Sequence, residues 1–192
     1  MQETLLTYRK SKFLWRSGLP LFRAVFLDRD GVLTREREDY VKTPEELEIL
    51  PGIEAPLREV QKRGFRIVII TNQSVVGRGL TTHHEMSKIH EKLCHELARF
   101  GCTVDGIYYC PHRPDEGCDC RKPAPGLILK AAKELGINME KSWMIGDKEI
   151  DLEAARRAGC HGIRVPTNGC GLAEAVHIIV LAENGSGAVE FF

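Results

Sequence analysis

Apolar and polar positions along this chain change their period repeatedly. Short runs rich in β-branched and aromatic residues read as strands: AVFLD at 24–28, RIVIITN at 66–72, GIYYC at 106–110, SWMIGD at 142–147 and GIRV at 162–165. Between and after them, apolar residues recur at a spacing of about 3.6. Those stretches, at 53–64, 83–101, 126–136, 149–159 and 172–183, read as helices. Gly64, Gly101, Gly136 and Gly159 each fall just past such a segment, where a left-handed cap is needed. The alternation predicts an α/β fold of βαβ units, a Rossmann-like parallel sheet of about five strands flanked by helices. No internal repeat or low-complexity segment interrupts it, and one long loop, Pro111 to Pro125, stands out.

In an open parallel sheet, ligands sit beyond the carboxyl ends of the strands. Here the expected strand ends carry polar residues. Asp28 and Asp30 follow the first, Thr71 and Asn72 the second, and Asp147 the fourth. Residues i and i+2 of an extended segment share a face, so Asp28 and Asp30 are expected to address one site while Arg29 points elsewhere. Carboxylates converging in a partly dehydrated crevice repel one another unless a cation holds them, and an all-oxygen set with open positions selects Mg²⁺. So held, one aspartate can attack phosphorus as a nucleophile, while the other protonates the leaving alkoxide and then activates water. Taken singly, each motif has an ordinary reading: Asp-x-Asp as a cap or turn, Thr-Asn as a strand-ending turn, Asp147 as a helix cap.

The long loop and its preceding strand carry Cys110-x-His112-x5-Cys118-x-Cys120. Four soft or borderline ligands fill a tetrahedron and leave no position for water, so a structural zinc is expected in the loop 110–120. A redox pair at Cys118 and Cys120 is the alternative, disfavoured because one intervening residue strains a disulfide. The chain has seven cysteines, an odd number that suits a reducing compartment better than a disulfide framework. His90 and Cys94 lie one helical turn apart, but at core spacing with Met86, Ile89, Leu93 and Leu97. Cys94 is therefore read as a small buried hydrophobe and His90 as a boundary residue. His161 and His177 have no evident partner.

Composition adds limits. At 192 residues the chain suits a single domain, and 27 Lys plus Arg balance 27 Asp plus Glu, so no global charge points to nucleic acid or a membrane surface. No apolar run approaches a membrane span, and a cytoplasmic protein is expected. Residues 1–21 differ from the rest, being basic with Phe13, Leu14 and Trp15 among Arg9, Lys10, Lys12 and Arg16. They are read as an extension with no assigned role.

DRDGVLT, TNQS, RKP and GDKEID, in that order, resemble the four motifs of the haloacid dehalogenase superfamily phosphatases, over Ala24 to Val165. The composite DGIYYCPH, CDCRKPAPG and MIGDKEID is most similar to the D-glycero-D-manno-heptose 1,7-bisphosphate 7-phosphatases, with the histidinol-phosphate phosphatases as a sister group. The resemblance implies a haloacid dehalogenase fold without a large cap across residues 22–192. It implies Asp28 as nucleophile and Mg²⁺ ligand, Asp30 as acid/base and carbonyl metal ligand, and Thr71 and Asn72 on the phosphoryl oxygens. It further implies Lys122 and Arg121 as cationic donors, Asp147 and the Lys148 backbone at Mg²⁺, and Asp151 supporting the metal. Gln73, Ser74 and Arg78 would meet the substrate. Ser74 favours a sugar over an aminoalcohol, and Arg78 would reach a second phosphate of a bisphosphate. Val75 and Val76 stand where the heptose enzymes resemble TNQSG, a departure that bears on the pocket. The expected partner is thus a small phosphorylated sugar for a monomeric enzyme. Histidinol phosphate, or a zinc-stabilised binding protein without catalysis, are the alternatives.

Overall fold

The computed structural model describes residues 21–185. The elements run β1 (Arg23–Leu27), α1 (Glu54–Lys62), β2 (Phe65–Asn72), α2 (Ser74–Gly77), α3 (His83–Arg99), β3 (Gly106–Cys110), α4 (Gly126–Leu135), β4 (Trp143–Gly146), α5 (Glu149–Ala158), β5 (His161–Arg164) and α6 (Leu172–Glu183). All strand pairs are parallel and the order is β3-β2-β1-β4-β5. β1 is central, with Val25 level with Ile67 of β2 on one side and Trp143 of β4 on the other.

A strand covered on both faces needs apolar residues on both. Ala24 and Phe26 face one layer, packed with Val68, Ile70 and Met144 against Leu127, Ile128 and Ala131 of α4 and the alanines of α5. Val25 and Leu27 face the other, with Ile67, Ile69 and Ile145 against α1, α3 and α6. The helices start and stop where their sequence allows. The Thr82 hydroxyl accepts the Glu85 amide at 3.1 Å to cap α3, and Gly136 and Gly159 end α4 and α5 at φ of 65° and 80°. Among the described residues no connection carries an inserted domain, and no helix is long and apolar enough to cross a membrane.

Thr71 and Asn72 are the last two residues of β2, as the run RIVIITN predicts. One detail differs from the pattern-based reading. The four-residue α2, and the 3-10 turns at 44–46, 114–116 and 139–141, are too short to show a period and were missed. The basic extension lies, apart from Leu21, outside the described residues. The break in strand order falls between β1 and β4, so segments beyond their carboxyl ends meet above one crevice.

Candidate active site

Asp28, one residue beyond β1, meets Asp147 after β4 and Asp151 on the first turn of α5. One carboxylate oxygen from each lies within 4.8 Å of the others. Asp151 is wholly buried and approaches the strand so closely that any Cβ at position 146 would collide with its own side chain, which only Gly146 avoids. Its Oδ2 accepts the Lys148 amide at 3.0 Å, so the helix start and the acidic cluster fix each other. The Lys148 carbonyl accepts the Asp151 amide at 3.0 Å.

Lys122 enters this cluster from the far end of the long loop. Its Nζ stands 2.9 Å from Asp28 Oδ1 and 2.6 Å from Asp151 Oδ1, and donates to the Ile70 carbonyl at 2.9 Å. The lysine is 2 % exposed. Burial alone would lower its pKa, but the two carboxylates outweigh that and hold it raised. Three carboxylates against one ammonium leave negative charge in excess. Burial, with Asp151 and Asp30 adding to it against Lys122, pushes Asp28 up to about 6, and burial raises Asp147 as well. Asp147 Oδ2 accepts from the Thr167 hydroxyl at 2.7 Å, whereas its Oδ1 is buried with no hydrogen-bond partner. An orphaned oxygen inside a cluster of hard, negatively charged donors fits a small divalent cation such as Mg²⁺.

Asp30 is placed differently from the expectation that it would share a site with Asp28 while Arg29 pointed away. The Arg29 side chain curls back and grips the Asp30 carboxylate with two bonds, Nε to Oδ1 at 3.0 Å and Nη2 to Oδ2 at 2.8 Å. Arg29 is completely buried. Burial would raise the Asp30 pKa, but the guanidinium and the bonds from Gln73 and Thr34 reverse that and hold it low. Its carboxylate is not part of the Asp28, Asp147 and Asp151 cluster.

The remaining expected residues divide. Thr71 is buried at the end of β2, its hydroxyl accepting from Gln73 Nε2 at 2.8 Å. Asn72 spends its side chain on the Lys122 backbone, accepting the amide at 3.0 Å and donating to the carbonyl at 3.1 Å, and so fixes the lysine's entry. Gln73 and Ser74 are buried, Gln73 within the Asp30 network, and Arg78 is exposed at the end of α2, 6.0 Å from the Tyr40 ring. Arg121 turns toward the Cys/His loop and donates to the His112 carbonyl at 3.2 Å. A cleft of about 430 Å³ opens beside α2, between Val76, Thr82 and His83 on one wall and Pro111 and His112 on the other.

Cys110, His112, Cys118 and Cys120 converge as four donors within 4.8 Å. Cys110 Sγ lies 3.5 Å from His112 Nδ1 and from Cys118 Sγ, and Cys120 Sγ lies 3.2 Å from His112 Nδ1. Two ligands each about 2.3 Å from a tetrahedral zinc would stand about 3.7 Å apart, so the cluster has close to the size zinc requires. All seven cysteines are free thiols.

Arg29, Thr34 and Thr167 escaped the sequence reading. A charged residue directed inward from the end of a buried strand was the available signal for Arg29, because a buried guanidinium demands partners. His90 is not a boundary residue but is 8 % exposed, facing Arg29 Nη1 at 3.4 Å. His161 does have partners, stacking on Trp143 and pairing with the Glu140 carbonyl at 3.1 Å.

A family model described as haloacid dehalogenase-like hydrolase matches residues 35–159. The chain is 41 % identical over 148 residues to the D-glycero-beta-D-manno-heptose-1,7-bisphosphate 7-phosphatase of Photorhabdus laumondii, covering 73 % of this chain and 77 % of that protein. It is 44 % identical over 137 residues to the Helicobacter pylori protein of the same name, covering 71 % and 78 %. Among solved structures, the D,D-heptose 1,7-bisphosphate phosphatase of B. bronchiseptica, complexed with magnesium and phosphate, matches with a TM-score of 0.77 at 33 % identity, over 84 % of this chain and 99 % of that one. With a parallel sheet, an acidic cluster at its switch point and relatives of this kind, the chain belongs to the haloacid dehalogenase-like hydrolase family, among its phosphatases.

Proposed function

We propose that the chain is a magnesium-dependent phosphomonoesterase that removes the 7-phosphate of D-glycero-D-manno-heptose 1,7-bisphosphate through a phosphoaspartate at Asp28. The observation that carries this reading is the meeting of Asp28, Asp147 and Asp151 around Lys122, with Asp147 Oδ1 unpaired. Asp28, Asp147 and the Lys148 backbone would hold Mg²⁺ together with the Asp30 carbonyl, supported by Asp151. The ion, when bound, offsets the charge of carboxylates and phosphate so that an anion can approach an anion. Lys122 holds Asp28 in place and presents positive charge to the phosphoryl oxygens as they gain charge in the transition state. Thr71 and Asn72 would border the phosphoryl site, and Arg121, next to Lys122 in sequence, donates to the carbonyl of His112, which lines the cleft. Asp28 attacks phosphorus and Asp30 protonates the departing sugar oxygen. Asp30 then takes a proton from the water that releases phosphate.

The sugar assignment is supported by the names of relatives that are identical to this chain at about two fifths of the aligned residues, and by Ser74 in TNQS. Exposed Arg78 is free to meet a second phosphate. The Cys/His cluster is proposed as a structural zinc site that shapes the loop and sets Lys122. A panel of purified substrates tests the function. The ratio of kcat/KM for heptose 1,7-bisphosphate over histidinol phosphate should be at least about a hundred, roughly 2.7 kcal/mol. Arg78→Ala should shrink that ratio and leave simple monoesters untouched. Preference for histidinol phosphate would overturn the sugar assignment, and near-normal turnover by Asp28→Asn would overturn the chemistry.

A further inference from the structure

The chain turns sharply after β5, and that turn reaches the acidic cluster. The Pro166 carbonyl accepts the Gly169 amide at 3.1 Å, and Asn168, third of the four residues, has a φ of 56°, a left-handed conformation that asparagine tolerates. Thr167 is the second residue of the turn. Its hydroxyl donates to Asp147 Oδ2 at 2.7 Å. Gly31, at a φ of 86°, closes on the same atom: a Cβ there would stand 2.6 Å from Asp147 Oδ2 and 3.2 Å from Thr167 Cγ2, so only glycine lets the loop after β1 lie this near. Asn168 ties the two segments together. Its amide donates to the Gly31 carbonyl at 2.9 Å, and its Oδ1 accepts the Glu36 amide at 2.6 Å. Asp147 Oδ2 thus sits in a socket built by the segments after β1 and β5, whereas Oδ1 of the same carboxylate is buried with no hydrogen-bond partner.

We infer that Thr167 is a positioning residue for the divalent cation: by engaging Asp147 Oδ2 it fixes the plane of the carboxylate and leaves Oδ1 as the ligand atom. The inference rests on the proposed Mg²⁺ site. An aspartate side chain turns readily about its last bond and can offer either oxygen. Beside Asp28 and Asp151, repulsion between like charges favours turning away from the cluster while no cation is bound. The Thr167 bond opposes that turn. It occupies one oxygen and leaves both lone pairs of the other free, so the ligand is set before the ion arrives and less ordering accompanies binding. Thr167 lies beyond residues 35–159, the stretch that the family model matches, and acts on the ion only through Asp147.

Metal affinity without substrate separates this role from a purely structural one. Thr167 is exposed, so Thr167→Val removes the donor, keeps the shape of the side chain and leaves the core alone. Mn²⁺, which shares the preference of Mg²⁺ for oxygen ligands, is titrated into the substrate-free protein and the free ion followed by electron paramagnetic resonance, with Mg²⁺ added in competition. Each titration is run below the variant's melting temperature in chelator, which keeps stability out of the comparison. Thr167→Val should weaken binding about tenfold, the low end of what losing the partner behind a metal ligand does. Thr167→Ser keeps the hydroxyl and should bind within about twofold of the wild type. Wild-type affinity in Thr167→Val, or equal weakening in Thr167→Ser, overturns the inference. Asp147→Asn is measured in parallel. If it binds weakly and Thr167→Val binds as the wild type does, only the inference fails; if the wild type takes up no ion, or Asp147→Asn binds as tightly as the wild type, the reading of the metal site fails and the inference with it. Should Thr167→Val not fold, Thr167→Ala is held to the same outcomes.

Discussion

Lys122 is a buried cation between two carboxylates, and its removal is expected to act on stability and chemistry together. Lys122→Met leaves Asp28 and Asp151 facing each other without compensation. Stripping one partner from a buried charge cluster costs about 3–5 kcal/mol, and losing a preorganised donor to phosphoryl oxygen costs about 10²–10³ in kcat. Chemical denaturation with and without Mg²⁺ checks this: part of the stability, but not the rate, should return as the metal is raised. His90 gives a second prediction. Burial and the neighbouring Arg29 charge hold its pKa down to about 3, against about 6.5 in an unfolded chain. Because the folded pKa is lowered, the unfolded chain alone binds this proton between those values. Its stability contribution is complete above pH 6.5 and is lost on acidification, by about 1.4 kcal/mol at pH 5.5. Unfolding free energies at pH 7.5 and 5.5 should show this component in the wild type and lack it in His90→Gln. At this scale Asp28 and Asp147 were legible because each follows an apolar run, whereas Asp151, inside α5, was named only through the resemblance. The duties of Arg29 and Asn72 were not legible, because their partners Gln73, His90 and Lys122 lie far away in the chain and only tertiary packing selects them.

At the scale of elements, the loop between β3 and α4 is held by what its sequence lacks in apolar residues. Cys110 is the last residue of β3, and Cys118 and Cys120 precede Lys122. A Cβ at position 126 would strike the Asp119 backbone, so α4 starts hard against the loop and allows only Gly126 there. With zinc bound, Cys118→Ser should release one equivalent of metal, detected by a chromogenic chelator. The melting temperature should fall, and activity should fall with it as Lys122 loses its place. Full activity in a stable, metal-free protein would refute the assignment. The five long helices were readable from period because each exceeds two turns, and the strands from their runs of β-branched and aromatic residues. α2 was not, since four residues carry no period and its position is set by the Gly77 amide bonding to the Pro111 carbonyl at 2.9 Å.

For the molecule as a whole, the acidic cluster opposes the fold that assembles it, and a bound cation removes the opposition. Magnesium at about a hundred times its dissociation constant should add about 2.7 kcal/mol, which for a chain of this size raises the melting temperature by about 5–10 °C. Calorimetry in chelator and in excess Mg²⁺ measures it, and Asp147→Asn should reduce the shift. The parallel sheet could be foreseen from alternation, but the order of its strands could not, because a run of apolar residues does not say which neighbour it will take.

That order has a consequence for the nascent chain. β1, β2 and β3 can pair as they emerge, but β1 meets β4 only after the whole β1-to-β4 stretch has been made, and Asp28 waits for Asp147 and Asp151. Closing so long a loop is slow and comes late. During synthesis the first half of the sheet can already be formed while Asp28, solvated and without its lysine, has nothing to make it reactive. On the proposed role of Asp28, competence to attack a phosphate ester would arrive in one step, when the second half of the sheet docks, and a chain ending before Asp147 would carry that aspartate without the carboxylates it meets in the folded protein.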